Sequence, residues 1–284
     1  MKNALILGAG GPAAAAFEIG IVAGLFDGGV DVRDADLFVG TSAGARVAVK
    51  LAGAADINEL FRRKLAPCSS QKPSFDMKTW GKQITEAKAN GGSAIDILKR
   101  MGELALSIHD DDPRASARRA DLAAQISERE WPAKRVMLVS VECETGERRA
   151  FERTSAAPLA DAIAASGSLP GVWPPIAIGG SHYMDGGMYS TDNADLAVGF
   201  DRVLVVALRA GTPRLPLVGI EDTTHAIKRA FVIQPDDAAQ AALAAVGGNV
   251  LDPEVGPPMA RAARAQGQLL ASRIATFWQH AHAA

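Results

Sequence analysis

The sequence predicts an α/β fold built on a mostly parallel central sheet. Two strand, glycine-turn, helix units at the start point to it, and a later block of short apolar runs set between glycine turns agrees. Ala4 to Leu7 is an apolar run bounded by glycines, as expected of a central parallel strand. Ala13 to Phe26 follows as an Ala-rich helix closed by Gly28-Gly29. Leu37-Phe38-Val39 is a second buried strand that stops abruptly at Gly40-Thr41-Ser42-Ala43-Gly44, after which a helix runs from about Ala45 to Ala52.

From Ala54 to Glu130 the chain turns polar and helical with no convincing strand, so residues 54–130 are expected to form a helical insertion or cap. Within it Ile97, Leu98, Met101, Leu104, Ala105 and Ile108 recur at helical spacing. That stripe predicts packing on the core, with contact to a lipid chain or membrane surface as the alternative. Arg114 to Arg119, with Leu122 and Ile126, belongs to another exposed helix. The sheet resumes at Val136 to Val141, Glu144-Thr145-Gly146-Glu147 reads as a hairpin turn, and Arg148 to Phe151 as the returning strand. Pro158 to Ala165 reads as a helix capped by Thr154 or Ser155. Ile176-Ala177-Ile178, Gly179-Gly180 and His182-Tyr183-Met184 form a second hairpin leading into Asp185-Gly186-Gly187. Val203 to Leu208 is the last clear buried strand, and residues 216–284 read as mostly Ala-rich helix broken by Gly247-Gly248 and Pro253 to Pro258. No repeat and no Gly/Ser linker divides the chain, so residues 1–284 are expected to form one domain with its C-terminal helices packed on the core.

Composition removes several function classes. Lys plus Arg total 30 against 32 Asp plus Glu, a net charge of −2, which argues against a nucleic-acid partner. Aromatics at 5% leave few platforms for stacking bases. Cys68 and Cys143 make no disulfide framework and fit a reducing compartment. His109, His182, His225, His280 and His282 show no zinc pattern beyond His280-x-His282, and His109-Asp110-Asp111-Asp112 lacks the remaining ligands of a calcium loop. No metal and no cofactor are therefore expected. The first apolar run ends at Gly8, too soon for a signal peptide, and none approaches the roughly 18 apolar residues of a membrane span. The expected location is cytoplasmic, with peripheral membrane contact left open by Arg62-Arg63-Lys64 and Arg114 to Arg119.

The chemistry concentrates in three glycine motifs. Gly40-x-Ser42-x-Gly44 lies where a buried strand meets a helix, and glycines on both sides of a serine permit the tight turn that lifts its hydroxyl above the sheet. The helix that follows points its N-terminal amides at the same place, favouring negative charge. Gly8-Ala9-Gly10-Gly11 follows the first strand in the equivalent position. As Gly8-x-Gly10-x-x-Ala13 it also fits a permissive dinucleotide fingerprint, but the second strand ends in Gly40-Thr41-Ser42, where a ribose-binding acid would stand. The other use of such a loop is to aim backbone N–H groups at an oxyanion; Pro12 has none, so the hole is expected to draw on Gly8, Gly10, Gly11 and Ala43. A serine needs a base. A Ser–acid–His triad would have to recruit His225, His280 or His282, none of which follows a strand directly, whereas Asp185-Gly186-Gly187 does.

Taken in order, Gly8-Ala9-Gly10-Gly11, Gly40-Thr41-Ser42-Ala43-Gly44 and Asp185-Gly186-Gly187 resemble the patatin-like phospholipases. The resemblance runs from about residue 3 to 210 and takes in Ala165-Ser166 to Pro170-Gly171, Pro174-Pro175 and Asn193-Ala194-Asp195-Leu196. It implies a three-layer patatin-like fold, Ser42 as nucleophile, Asp185 as its base without a histidine, and an oxyanion hole in the first glycine loop. The implied reaction is hydrolysis of lipid acyl esters or small esters. Pro12, Ala13 and Ala14 stand where the family commonly has a basic residue and a glycine, as in a bacterial branch lacking that cation. The substitution removes the charge expected to meet a phosphate head group and leaves ester hydrolysis intact.

Overall fold

The computed structural model describes residues 1–66, 77–108, 130–208 and 217–278. Cys68, His109 to Asp112, Arg114 to Arg119, Leu122, Ile126, His280 and His282 lie outside them.

The chain opens with β1 (Asn3–Leu7), α1 (Gly11–Asp27), β2 (Leu37–Thr41) and α2 (Ala43–Ala52). Three helices follow: α3 (Ile57–Leu65), α4 (Met77–Ala89) and α5 (Ala94–Leu106), the last begun by a reciprocal Ser93–Asp96 cap. Then come β3 (Arg135–Glu142), β4 (Arg148–Phe151), α6 (Leu159–Ser166), β5 (Ile176–Ile178), β6 (Ser181–Asp185) and β7 (Arg202–Val206). The described chain closes with α7 (Ile220–Thr224), β8 (Ala230–Ile233), α8 (Asp237–Ala244) and α9 (Gly256–Trp278).

All the described strands join one sheet, paired along the path β5-β6-β3-β2-β1-β7-β8 with β4 also on β3. The β2/β3, β1/β2, β1/β7 and β7/β8 pairs are parallel; the β3/β4, β3/β6 and β5/β6 pairs are antiparallel. Alternation sends Leu5, Leu7, Phe38 and Leu204 to one face, under α1, α2 and α9, and Ala4, Ile6, Val39 and Val205 to the other, under Ala194 and Ala197. Helix α1 is buried on nearly every side because α9 lies along its back. The seam is lined by small residues: a Cβ on Gly24 would come within 2.0 Å of the Arg264 carbonyl oxygen, and one on Gly20 within 2.6 Å of that of Ala260. Arg264 closes the seam by pairing with Asp27 at 2.7 Å, and its hydrogen bond holds the Asp27 carboxyl below the usual range.

Two expectations need correction, and the packing expected of the α5 stripe is observed. Val203 to Leu208 does not hold the last strand: Ala230 to Ile233 is an edge strand beside β7, paired Val203↔Ala230 to Val206↔Ile233. Its half-exposed face and short length hid it among alanines. Neither Thr154 nor Ser155 caps α6: both sit in a 3-10 turn, where the Ser155 hydroxyl accepts from the Glu152 N–H at 3.0 Å, and Pro158 precedes the helix without a side-chain cap. The α5 stripe is buried: Met101 and Ala105 are fully covered, and with Leu98 and Ile84 they form a separate apolar cluster against Met184 and Met188. The stripe therefore packs on the protein; Ile95 is the large apolar residue of α5 left exposed.

Candidate active site

Strand β2 does not stop at Val39 but continues through Gly40 and Thr41, so Ser42 is the first residue past its end and Ala43 already begins α2. Ser42 turns the chain with φ 56° and ψ −113°, a backbone state that costs a non-glycine residue about 1–3 kcal/mol and persists only where its surroundings enforce it. They do so by crowding. A Cβ on Gly44 would stand 2.3 Å from the Leu7 carbonyl oxygen, and one on Gly40 2.6 Å from the Ala45 Cα. The two glycines let α2 fold back onto β1 and onto its own strand.

The ladder registers place Asp185. Val139 pairs with Thr41 of β2 and Ala150 of β4, and Ser140 pairs with Arg149 of β4 and Asp185 of β6. A strand has two hydrogen-bonding edges. With β4 on one, β2 and β6 must share the other, approaching from opposite ends. Their C-termini therefore meet head to head, opposite consecutive residues of β3 that are about 3.3 Å apart along the strand. Ser42 and Asp185 are brought together at this junction. Asp185 is 4% exposed, and its Oδ1 accepts the Gly187 N–H at 2.8 Å.

The first glycine loop closes on the same point. The Ala9 N–H donates to Thr191 O at 2.7 Å, and a Cβ on Gly187 would touch the Ala9 side chain at 3.0 Å. Gly8 is not an oxyanion donor, contrary to expectation: its N–H donates to Val206 O and its carbonyl accepts from the Gly44 N–H, each at 3.2 Å. Gly8 ties the loop to β7 and α2 instead. No acceptor among the described residues meets the N–H of Gly10, Gly11 or Ala43. Gly10 and Gly11 have φ of 137° and 56°, which glycine tolerates. The dinucleotide reading meets an obstacle here. The Ala13 N–H donates to Val250 O, and a Cβ on Gly11 would stand 2.6 Å from the Leu251 side chain, so one amide of the first turn is already engaged and the space beside Gly11 is taken.

A buried polar web backs the junction from the loop after Asp185, and the sequence did not expose its logic. Asn193 Nδ2 donates to the Thr41 hydroxyl at 3.0 Å and to Ser190 O at 2.7 Å. Arg148 donates to Asn193 Oδ1 at 3.1 Å, pairs with Asp195 through both ends of its guanidinium, and lies 4.6 Å over the Tyr189 ring. Asp192 takes the Thr223 hydroxyl and the Ala194 N–H; burial raises its carboxyl above the usual range, and these bonds pull it back. Arg148 and Thr223 come from segments far from any glycine motif, so spacing gave no signal for them. His225, the triad candidate, is exposed at the end of α7. His182 bonds Glu144 at 2.7 Å on the outer hairpin.

The match to known families decides the fold. A family model described as patatin-like phospholipase matches residues 5–198. The chain belongs to the patatin-like phospholipase family. Among solved structures it is similar to VipD from Legionella pneumophila, at 13% identity and a TM-score of 0.41, over 74% of this chain and 50% of that one, so it spans about half of VipD's length. No curated protein matches. As a patatin-like protein the chain has the family's mostly parallel sheet flanked by helices. No described helix is long and apolar enough to cross a membrane. No cluster of three potential metal ligands occurs among the described residues.

One buried carboxyl lies behind this site. Glu18 of α1 is fully buried and neither oxygen meets a hydrogen-bond partner. Burial holds it well above the usual carboxylate range; the Gly8 amide, Lys64 and Arg46 pull the other way. The folded protein thus keeps Glu18 neutral where the unfolded chain ionises it, so stability is full below about pH 4.5 and declines as pH rises towards the folded value. Glu18→Gln removes that pH dependence. Thermal melts should show its stability relative to wild type rising as pH climbs above about 4.5; parallel pH curves would refute this account.

Proposed function

We propose that this patatin-like protein hydrolyses acyl esters of lipids, or smaller esters, with Ser42 as nucleophile and Asp185 as its base. The observation that carries the reading is the head-to-head junction of β2 and β6 on one edge of β3, which puts a strained serine beside a buried aspartate. Ser42 Oγ attacks the ester carbonyl carbon as its proton passes to Asp185. The charge that grows on the carbonyl oxygen is met by the N–H groups of Gly10, Gly11 and Ala43, in a site where such donors act most strongly. Collapse of the tetrahedral adduct breaks the ester bond, and the leaving alcohol takes the proton from Asp185. Water then attacks the acyl-serine, Asp185 accepts its proton, and the fatty acid leaves as Ser42 recovers its hydrogen.

Pro12, Ala13 and Ala14 offer no cation beside the glycine loop. We infer that recognition rests on the acyl part of the substrate more than on a charged head group. A p-nitrophenyl ester series of increasing chain length, run beside neutral and anionic phospholipid vesicles, tests this. The expected result is turnover that depends on chain length and varies little with head-group charge. His225→Ala is expected to keep kcat within about twofold, because the base is Asp185; loss of activity in that variant would restore the triad reading.

A further inference from the structure

We infer that Ser166 is a positioning residue that holds the strained nucleophile turn against β3, an inference that rests on the Ser42–Asp185 reading. Ser166 ends α6 and is fully buried. Its hydroxyl accepts the Ser42 N–H at 2.9 Å and donates to Val139 O at 2.6 Å. Val139 is the β3 residue opposite Thr41 and adjacent to Ser140, which faces Asp185. Two residues further on, Ser168 O accepts the Asp185 N–H at 2.9 Å. The short segment 166–168 is thus bonded to both members of the pair and to the strand between them.

Two consequences follow from the chemistry of that hydroxyl. A group that accepts and donates at once is needed, which serine supplies and alanine does not. Without it the Ser42 N–H and one lone pair of Val139 O lose their partner in a buried place. The residue so released has φ 56°, and strain of that kind relaxes when one of its restraints goes. Relaxation moves Oγ away from Asp185 while the rest of the site stays in place. The same bond also engages the Ser42 amide, which leaves the oxyanion to the N–H groups of Gly10, Gly11 and Ala43.

Ser166→Ala is the test, with Ser93→Ala as the control for lost stability. The Ser93 hydroxyl accepts the Asp96 N–H at 3.2 Å and caps α5, with no bond to Ser42, Asp185 or β3. The readouts are kcat and KM on a p-nitrophenyl ester, the rate of fluorophosphonate labelling, and the thermal midpoint. Ser166→Ala should lose roughly 10- to 100-fold in kcat and in labelling rate, with KM within about threefold. Ser93→Ala should lose thermal stability by uncapping α5 and keep kcat within about threefold. Equal losses in both variants, or labelling of Ser166→Ala at the wild-type rate, would overturn the inference. Should Ser166→Ala not fold, Ser166→Cys, a weaker donor and acceptor, is expected to fall between; wild-type kcat in that variant would overturn it equally. Wild-type protein that fails to label at Ser42 would instead refute the Ser42–Asp185 reading itself.

Discussion

Ser42→Ala should lower kcat on the ester series by on the order of 10³-fold or more, with the folded state unchanged. Asp185→Asn should lose a comparable factor, since it keeps the shape of the side chain and the contact with the Gly187 N–H while removing the base. The double variant should be no worse than the poorer single one. The two groups act on one proton, so once either is gone the other has nothing left to contribute. Losses that multiplied would mean that Asp185 acts on something other than Ser42, such as the fold of the 186–195 loop. Thermal melts of the same three proteins separate the cases: the proposed roles predict a large change in rate with little change in midpoint.

Gly44→Ala should damage both stability and rate. Its Cβ would stand 2.3 Å from the Leu7 carbonyl oxygen, 2.5 Å from the Leu7 carbonyl carbon and 2.7 Å from the Gly8 carbonyl oxygen. All three are backbone atoms of the central strand or the turn after it, so no side chain can rotate out of the way. The start of α2 must lift off β1, breaking the Gly44–Gly8 hydrogen bond and carrying Ser42 away from its junction with Asp185. A cost of about 3 kcal/mol in denaturant unfolding is expected, with a loss of roughly 10²-fold in turnover by what remains folded. Gly81→Ala is the contrast: it lies in α4 with nothing within 4 Å of its Cβ position, and there alanine should stabilise by up to about 1 kcal/mol. A Gly44→Ala protein as stable and active as wild type would show that the turn is not held by this close approach.

Much of this architecture was legible because local signals and tertiary demand coincide. β1 and β2 are buried on both faces and read as short apolar runs, and Gly8, Gly40 and Gly44 in the turns after them are required by contacts that a side chain would violate. What was not legible depends on partners distant in sequence. β8 is a strand because β7 offers it an edge, and its own Ala230-Phe231-Val232-Ile233 is too short to announce that. The reading of α6 failed for a similar reason: Ser155 is a good cap by type, but it is drawn to the Glu152 amide instead. The oxyanion donors could be narrowed only once Gly8 was seen bonded to Val206 and Gly44. Ser166 was visible as part of a motif, and its use emerges only when α6 is laid beside the end of β2.

The account turns on a nucleophilic serine at the end of β2. A fluorophosphonate probe applied to the intact protein, followed by mass spectrometry of the digested adduct, measures this directly. The account predicts a single adduct on Ser42, slowed sharply in Asp185→Asn and unaffected in His225→Ala. An adduct on another serine, or a wild-type enzyme that turns over esters while Ser42 stays unmodified, would contradict it.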